Sequence, residues 1–224
     1  MDIKIKEKIP VKGMRATIAK RMGQSSKESP RVAEVVLVDA GKAQKLAESK
    51  KSENVNFNDI LVKATAASLK LYPIFNSALI NDEILVFEDI NIGLAVALEQ
   101  GLIVPVIRDA GSLSLVEIAK RRIEIIEKVK SGARSPEILT GGTFTITNLG
   151  GLGIEFFTPI INHPQCGILG IGSMKERAIV ENGSIVACLT VYLSFVFDHR
   201  VIDGAPAARF LNQIKEFLEK PEGL

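Results

Sequence analysis

Apolar and polar positions recur at two different periods along this chain, and the switches between them outline its elements. Met14, Ile18 and Met22 return every fourth residue behind Gly13, which predicts a helix with a thin apolar stripe, ended by Pro30. Val32 to Asp39 reads as a strand. Ala43 to Lys51 reads as a polar, lysine-rich surface helix. Asn56 or Asn58 caps a stronger helix whose stripe runs Ile60, Leu61, Ala64, Ala67 and Leu71 before Pro73 stops it. Two β-prone runs around Asn81-Asp82 predict a hairpin without the favoured Asn-Gly. Ile92, Leu94, Val96 and Leu98 alternate with small residues, as in a strand buried on both faces, and Pro105 puts the next strand at an edge or bulge. Ser114 caps the clearest helix, with Ile118, Ile125 and Val129 inward and Gly132 as its stop. Thr143 to Thr147, Cys166 to Ile171 and Ile185 to Phe197 read as further strands, followed by an amphipathic helix from Ala205 to about Lys220. Residues 1–12 are expected to form an extended arm, and 13–224 one α/β domain. The expected architecture is a two-layer α+β sandwich, with a mixed, largely buried sheet covered by helices.

Composition narrows the partners. The 224 residues suffice for one substantial core, and the 46% hydrophobic and 24% charged shares are those of a globular protein. A net charge of +2 and the absence of tryptophan leave neither a field nor a stacking surface for nucleic acid, and no field for anionic membranes. Apolar runs are broken by Glu99, Arg108 or Asp109, well short of the roughly 20 residues that span a bilayer. The first residues, MDIKIKEKIP, lack a secretory apolar region. Cys166 and Cys188 have no metal-ligand spacing, so no metal is expected, and buried thiols in a reducing cytoplasm fit.

The chemistry concentrates in LSFVFDHRVIDG, residues 193–204, where a β-prone run ends in Asp198-His199-Arg200 and Asp203-Gly204 follows. A histidine at the mouth of a core strand suits a positioned general base, although a hydrogen-bonded strand-end histidine would read the same way. The other histidine, His163, precedes a proline in a loop and favours a structural role. Gly150, Gly151 and Gly153 permit close backbone approach, but the order of a nucleotide loop and its following helix are missing. The hydroxyls of Thr145 and Thr147, on the strand before those glycines, are better suited to donate to an oxyanion than to attack as nucleophiles.

His199-Arg200-Val201-Ile202-Asp203-Gly204 resembles the H-x-x-x-D-G signature of coenzyme A-dependent acyltransferases with the chloramphenicol acetyltransferase fold. MRATIAKRM at 14–22, VNFNDILVKA at 55–64, GLIVPVIRDA at 101–110 and GGTFTITNLGGLG at 141–153 narrow the resemblance to the catalytic domain of dihydrolipoyl acyltransferases, the core of 2-oxo-acid dehydrogenase complexes. The resemblance implies acyl transfer between dihydrolipoamide and coenzyme A, with His199 as base on the thiol and Thr147 binding the oxyanion. It implies that Asp203 braces its turn through Arg15 or Arg21, and that the chain forms homotrimers with sites between subunits. Lys63 is a candidate contact for coenzyme A. The lipoyl group, and binding of the decarboxylase and dihydrolipoyl dehydrogenase components, would belong to modules not found in these residues, so a truncated catalytic domain is expected. The final Glu219 to Leu224 segment lacks the leucine run that joins trimers into large cages, which puts a cage in doubt. The alternatives are a non-catalytic scaffold subunit and a small-molecule acetyltransferase.

Overall fold

The computed structural model describes residues 3–98, 101–133 and 135–224. Residues 3–12 have no regular structure and are exposed; Met1 and Asp2, the start of the expected arm, lie outside the described residues. Helix α1 (Gly13–Glu28) leads into β1 (Arg31–Asp39), α2 (Gly41–Ser49) and α3 (Phe57–Leu71). A hairpin, β2 (Ser77–Ile80) and β3 (Glu83–Val86), turns on Asn81 and Asp82, both at positive φ as a primed turn requires. Then come β4 (Ile92–Leu94), β5 (Val96–Leu98), β6 (Gly101–Ile103), β7 (Val106–Ile107), α4 (Leu115–Lys130) and α5 (Pro136–Leu139). The chain continues through β8 (Phe144–Asn148), β9 (Gly167–Ile171), β10 (Lys175–Glu181), β11 (Ser184–Asp198) and α6 (Gly204–Glu219).

Seven strands form one mixed sheet ordered β1-β11-β9-β8-β4-β7, with β10 beside the first half of β11. β8 runs parallel to β4 and β9, and the other pairs are antiparallel. One face carries the main core. Phe144 of β8 and Phe195 of β11 meet Phe210 of α6, which stacks on Phe75 at 4.3 Å between ring centroids. Helices α2, α3, α4 and α6 bury Ala43, Leu61, Ile118 and Ile214 into the same cluster. The other face is closed by the 154–164 segment, where Ile161 packs with Ile168 and Val196. The Ser25 hydroxyl of α1 donates to the Ile161 carbonyl at 2.7 Å.

Three differences from the expected elements have local causes. The run from Ile92 to Leu98 is not one strand buried on both faces. Only Ile92–Leu94 stays in the main sheet, while β5 and β6 peel away as a ribbon that supports α1. A methyl group at Gly101 of that ribbon would meet Ile18 and Met14, two of the three stripe residues of α1. Glu99, placed between these strands by the sequence, lies outside the described residues. The α3 stripe is buried through Ala64, half-buried at Ala67 and 58% exposed at Leu71, the last residue of the helix. Strand β10 was not expected, although Asn182-Gly183, at positive φ, gives it a hairpin turn onto β11.

Candidate active site

β11 delivers His199 to the edge of the sheet. Val191, Leu193, Phe195 and Phe197 face the helices and are fully buried, so the strand cannot slip without exposing that whole row. The strand ends at Asp198, where the chain turns sharply: the Asp198 carbonyl accepts from the Val201 and Ile202 amides. The Asp198 carboxylate accepts from the Arg200 amide and from its guanidinium at 2.6–3.2 Å. Burial alone would raise the Asp198 pKa; the bonds from Arg200 and Ser29 outweigh it and hold the carboxyl below its usual range. The His199 amide donates to the Pro30 carbonyl, tying the turn to the start of β1. The imidazole stays 45% exposed, with Nδ1 3.7 Å from an Asp203 carboxylate oxygen, too far for a hydrogen bond.

The brace implied for Asp203 is not made within this chain. Its side chain is 84% exposed, and no ion pair joins it to Arg15 or Arg21 among the described residues. Both arginines are exposed on α1, Arg21 over a cleft of about 250 Å³ that also touches His163 and Gln165. Asp198, a residue the motif does not single out, holds the turn instead. His163 is structural here, with Nε2 3.2 Å from the Glu28 carboxylate at the end of α1.

Thr147 stands at the C-terminal end of β8, 8% exposed, with no side-chain hydrogen bond among the described residues. Phe144 and Ile146 point to the helices, so Thr145 and Thr147 point to the other face. The Thr145 hydroxyl donates to Gln165 at 2.6 Å. Of the glycines after Thr147, Gly150 serves backbone packing, while a methyl group at Gly151 or Gly153 would meet nothing within 4 Å. A methyl group at Gly150 would overlap the Gly172 carbonyl, and one at Gly172 would overlap that of Glu155. The Lys63 ammonium donates to the Leu113 carbonyl at 2.6 Å, joining α3 to the loop before α4, and its pKa is lowered first by burial and then by Lys70. Among the described residues, no group of three His, Cys, Asp or Glu side chains gathers as metal ligands, and no helix is long and apolar enough to cross a membrane.

His199 and Thr147 lie at opposite ends of the sheet. Thr147 is level with Gly170, and Gly170 with Ser194, whereas His199 follows five positions further along β11. At about 3.4 Å per residue that is roughly 17 Å along the strands, with β9 intervening.

A mixed sheet covered on one face by α2, α3, α4 and α6 defines the class of chloramphenicol acetyltransferase-like folds. Chloramphenicol acetyltransferase itself shares the fold, with a TM-score of 0.59 over 89% of this chain and 94% of that one at 16% identity. Within that class, the family model described as 2-oxoacid dehydrogenases acyltransferase (catalytic domain) matches residues 4–224, and the chain belongs to that family. It is 40% identical over 225 residues to the dihydrolipoyllysine-residue acetyltransferase component of the acetoin cleaving system of Bacillus subtilis, covering 97% of this chain and 56% of that protein. The chain thus spans about half the length of such relatives. A crystal structure of a probable dihydrolipoamide acetyltransferase from Listeria monocytogenes superposes with a TM-score of 0.91 at 35% identity, over 96% of this chain and 94% of that one.

Proposed function

We propose that residues 13–224 transfer a short acyl group between dihydrolipoamide and coenzyme A at sites shared by neighbouring copies of the chain, as the core of a 2-oxo-acid dehydrogenase complex. One observation carries the shared site: the base and the oxyanion donor stand at opposite ends of one sheet, so a copy of the chain cannot use its own pair. A ring of identical copies repairs this by setting the His199 end of one against the Thr147 end of the next, and the resemblance makes that ring a trimer.

In the direction of coenzyme A acylation, Nε2 of His199 takes the proton from the coenzyme A thiol as its sulfur attacks the thioester carbonyl of S-acyl-dihydrolipoamide. A thiol with a pKa of about 8.5 is mostly protonated at neutral pH, so the base raises its nucleophilicity. The new C–S bond turns the carbonyl into an oxyanion, to which the Thr147 hydroxyl donates. Collapse breaks the old C–S bond, and the imidazolium returns the proton to the dihydrolipoamide thiolate. The acyl group passes between two sulfurs without an acyl-enzyme. Asp203 is the carboxylate nearest Nδ1, and its exposure limits it to a weak, screened attraction for the imidazolium. Lys63, whose ammonium uses one of its three donors on the Leu113 carbonyl, stays a candidate contact for coenzyme A. The lipoyl group, the decarboxylase and the dihydrolipoyl dehydrogenase would be reached through other parts of a longer polypeptide or assembly.

Incubation with free dihydrolipoamide and acetyl-, succinyl- or isobutyryl-CoA tests the activity. Turnover with one of the three is expected and names the acyl group. An assembled protein inert with all three would be a scaffold, and acylation of a small alcohol or amine in place of dihydrolipoamide would make it a small-molecule acetyltransferase.

A further inference from the structure

We propose that Asn148 and Asn58 form a positioning bracket for Thr147, setting where its hydroxyl stands in the acyl-transfer site. The inference rests on the reading of Thr147 as the oxyanion donor. Thr147 has no side-chain hydrogen bond of its own among the described residues, so its place depends on the backbone of the last two residues of β8. That backbone is paired to Gly170 and Ile171 on one side and then leaves the sheet into the glycine-rich turn. Motion of such a turn would pass directly to Thr147 unless the strand end were pinned.

Asn148 supplies the pin. Alternation along β8 sends its side chain to the face opposite Thr147, towards the helices. There Oδ1 accepts from the Gly150 amide at 2.7 Å, and Nδ2 donates to Asn58 Oδ1 at 2.8 Å. Asn58 sits in the first turn of α3. Asn56 caps that turn in a reciprocal capping box with Asp59. Fully buried Asp59 is clamped by Arg122 of α4 at 2.7 and 3.1 Å.

Neither amide is explained by local structure alone. The turn after Asn148 needs only Oδ1, and the cap of α3 is already made by Asn56. The remaining amide of one and carbonyl of the other meet across 90 residues of sequence. A bond this exposed adds little to global stability, so its loss belongs in the rate and not in the melting temperature.

The test uses the intact assembled protein, free dihydrolipoamide and the acyl-CoA it turns over. Asn148→Ala is expected to lower kcat by about tenfold to a hundredfold, the scale of a misplaced catalytic group, with KM for that acyl-CoA and Tm close to those of the unaltered protein. Each single aspartate variant keeps a donor and an acceptor, because the surviving amide can rotate to face the carboxylate. Asn58→Asp and Asn148→Asp should therefore each retain activity within about threefold. Together they set two carboxylates against each other: kcat should fall about tenfold or more, and recover relative to the unaltered protein as the pH falls towards about 5 and one carboxyl is protonated. An Asn148→Ala protein within about twofold in kcat, or a double variant equal to the product of its singles at every pH, overturns the bracket. Thr147→Val in the same assay separates the two readings. If it is fully active, the role of Thr147 fails and the bracket with it; if it is inactive while Asn148→Ala is unaffected, the bracket alone fails.

Discussion

Two side chains carry the proposed chemistry, and each performs a task that free energy can grade. His199→Ala removes the base and should lower kcat by about 10²–10⁴, while the thermal midpoint stays put because the ring is exposed. Thr147→Val keeps the shape and loses the donor, with an expected cost of about 10²–10³. Steady-state kinetics alongside thermal melts check both, and losses below about tenfold would assign the roles elsewhere. Asp198 contributes on a different axis. Its folded pKa is depressed, so its stabilisation is present above the unfolded value of about 3.9 and lost as pH falls through the folded value. Asp198→Asn should therefore lower stability at pH 7 and flatten the acid limb of the stability profile; an acid limb identical to that of the unaltered protein would contradict this. His199 was legible in the sequence because one of only two histidines follows a core strand. The work of Asp198 was hidden because its main partner, Arg200, lies inside the motif and reads as a surface charge. The Asn58 bracket was hidden because its halves are distant in sequence and neither is chemically conspicuous.

At the scale of elements, the well-read parts are those whose signals are local. Ser114 caps its helix as expected, in a capping box that Glu117 completes, and Gly132, at φ +100°, ends the helix where a left-handed residue is needed. The splitting of the Ile92–Leu98 run was not legible, because alternation describes the pleat of a strand and not which sheet it joins. The clip between α3 and α4 was likewise invisible, since Asp59 and Arg122 each look like helix-surface charges until the fold buries the first completely. This clip yields a stability prediction. Arg122→Leu strands a buried carboxylate and should cost about 3–5 kcal/mol, read as a lower denaturant midpoint. Adding Asp59→Asn should recover part of that loss, and no recovery would mean that the guanidinium acts through packing instead.

On the scale of the whole molecule, the sheet holds His199 and Thr147, the two proposed half-sites, apart. The His199 end is anchored by the Phe75, Phe195 and Phe210 ring cluster beneath β11 and α6. Near the Thr147 end, exposed Leu152, Ile154 and Phe156 border the glycine-rich turn, an apolar rim of the kind that a second copy covers. Sequence motifs pointed to both residues but could not place them in space, because separation along a sheet depends on register across three strands. The direct measurement is complementation between inactive variants. His199→Ala and Thr147→Val proteins, each inactive alone, are co-assembled in equal amounts and assayed for acyl transfer. If sites lie between copies, an interface works when its histidine comes from one variant and its threonine from the other, which random mixing in a closed ring provides at about a quarter of interfaces. Recovery of about a quarter of the unaltered activity is therefore predicted. Mixed assemblies no more active than the separate variants would contradict a shared site and return both residues to a single chain.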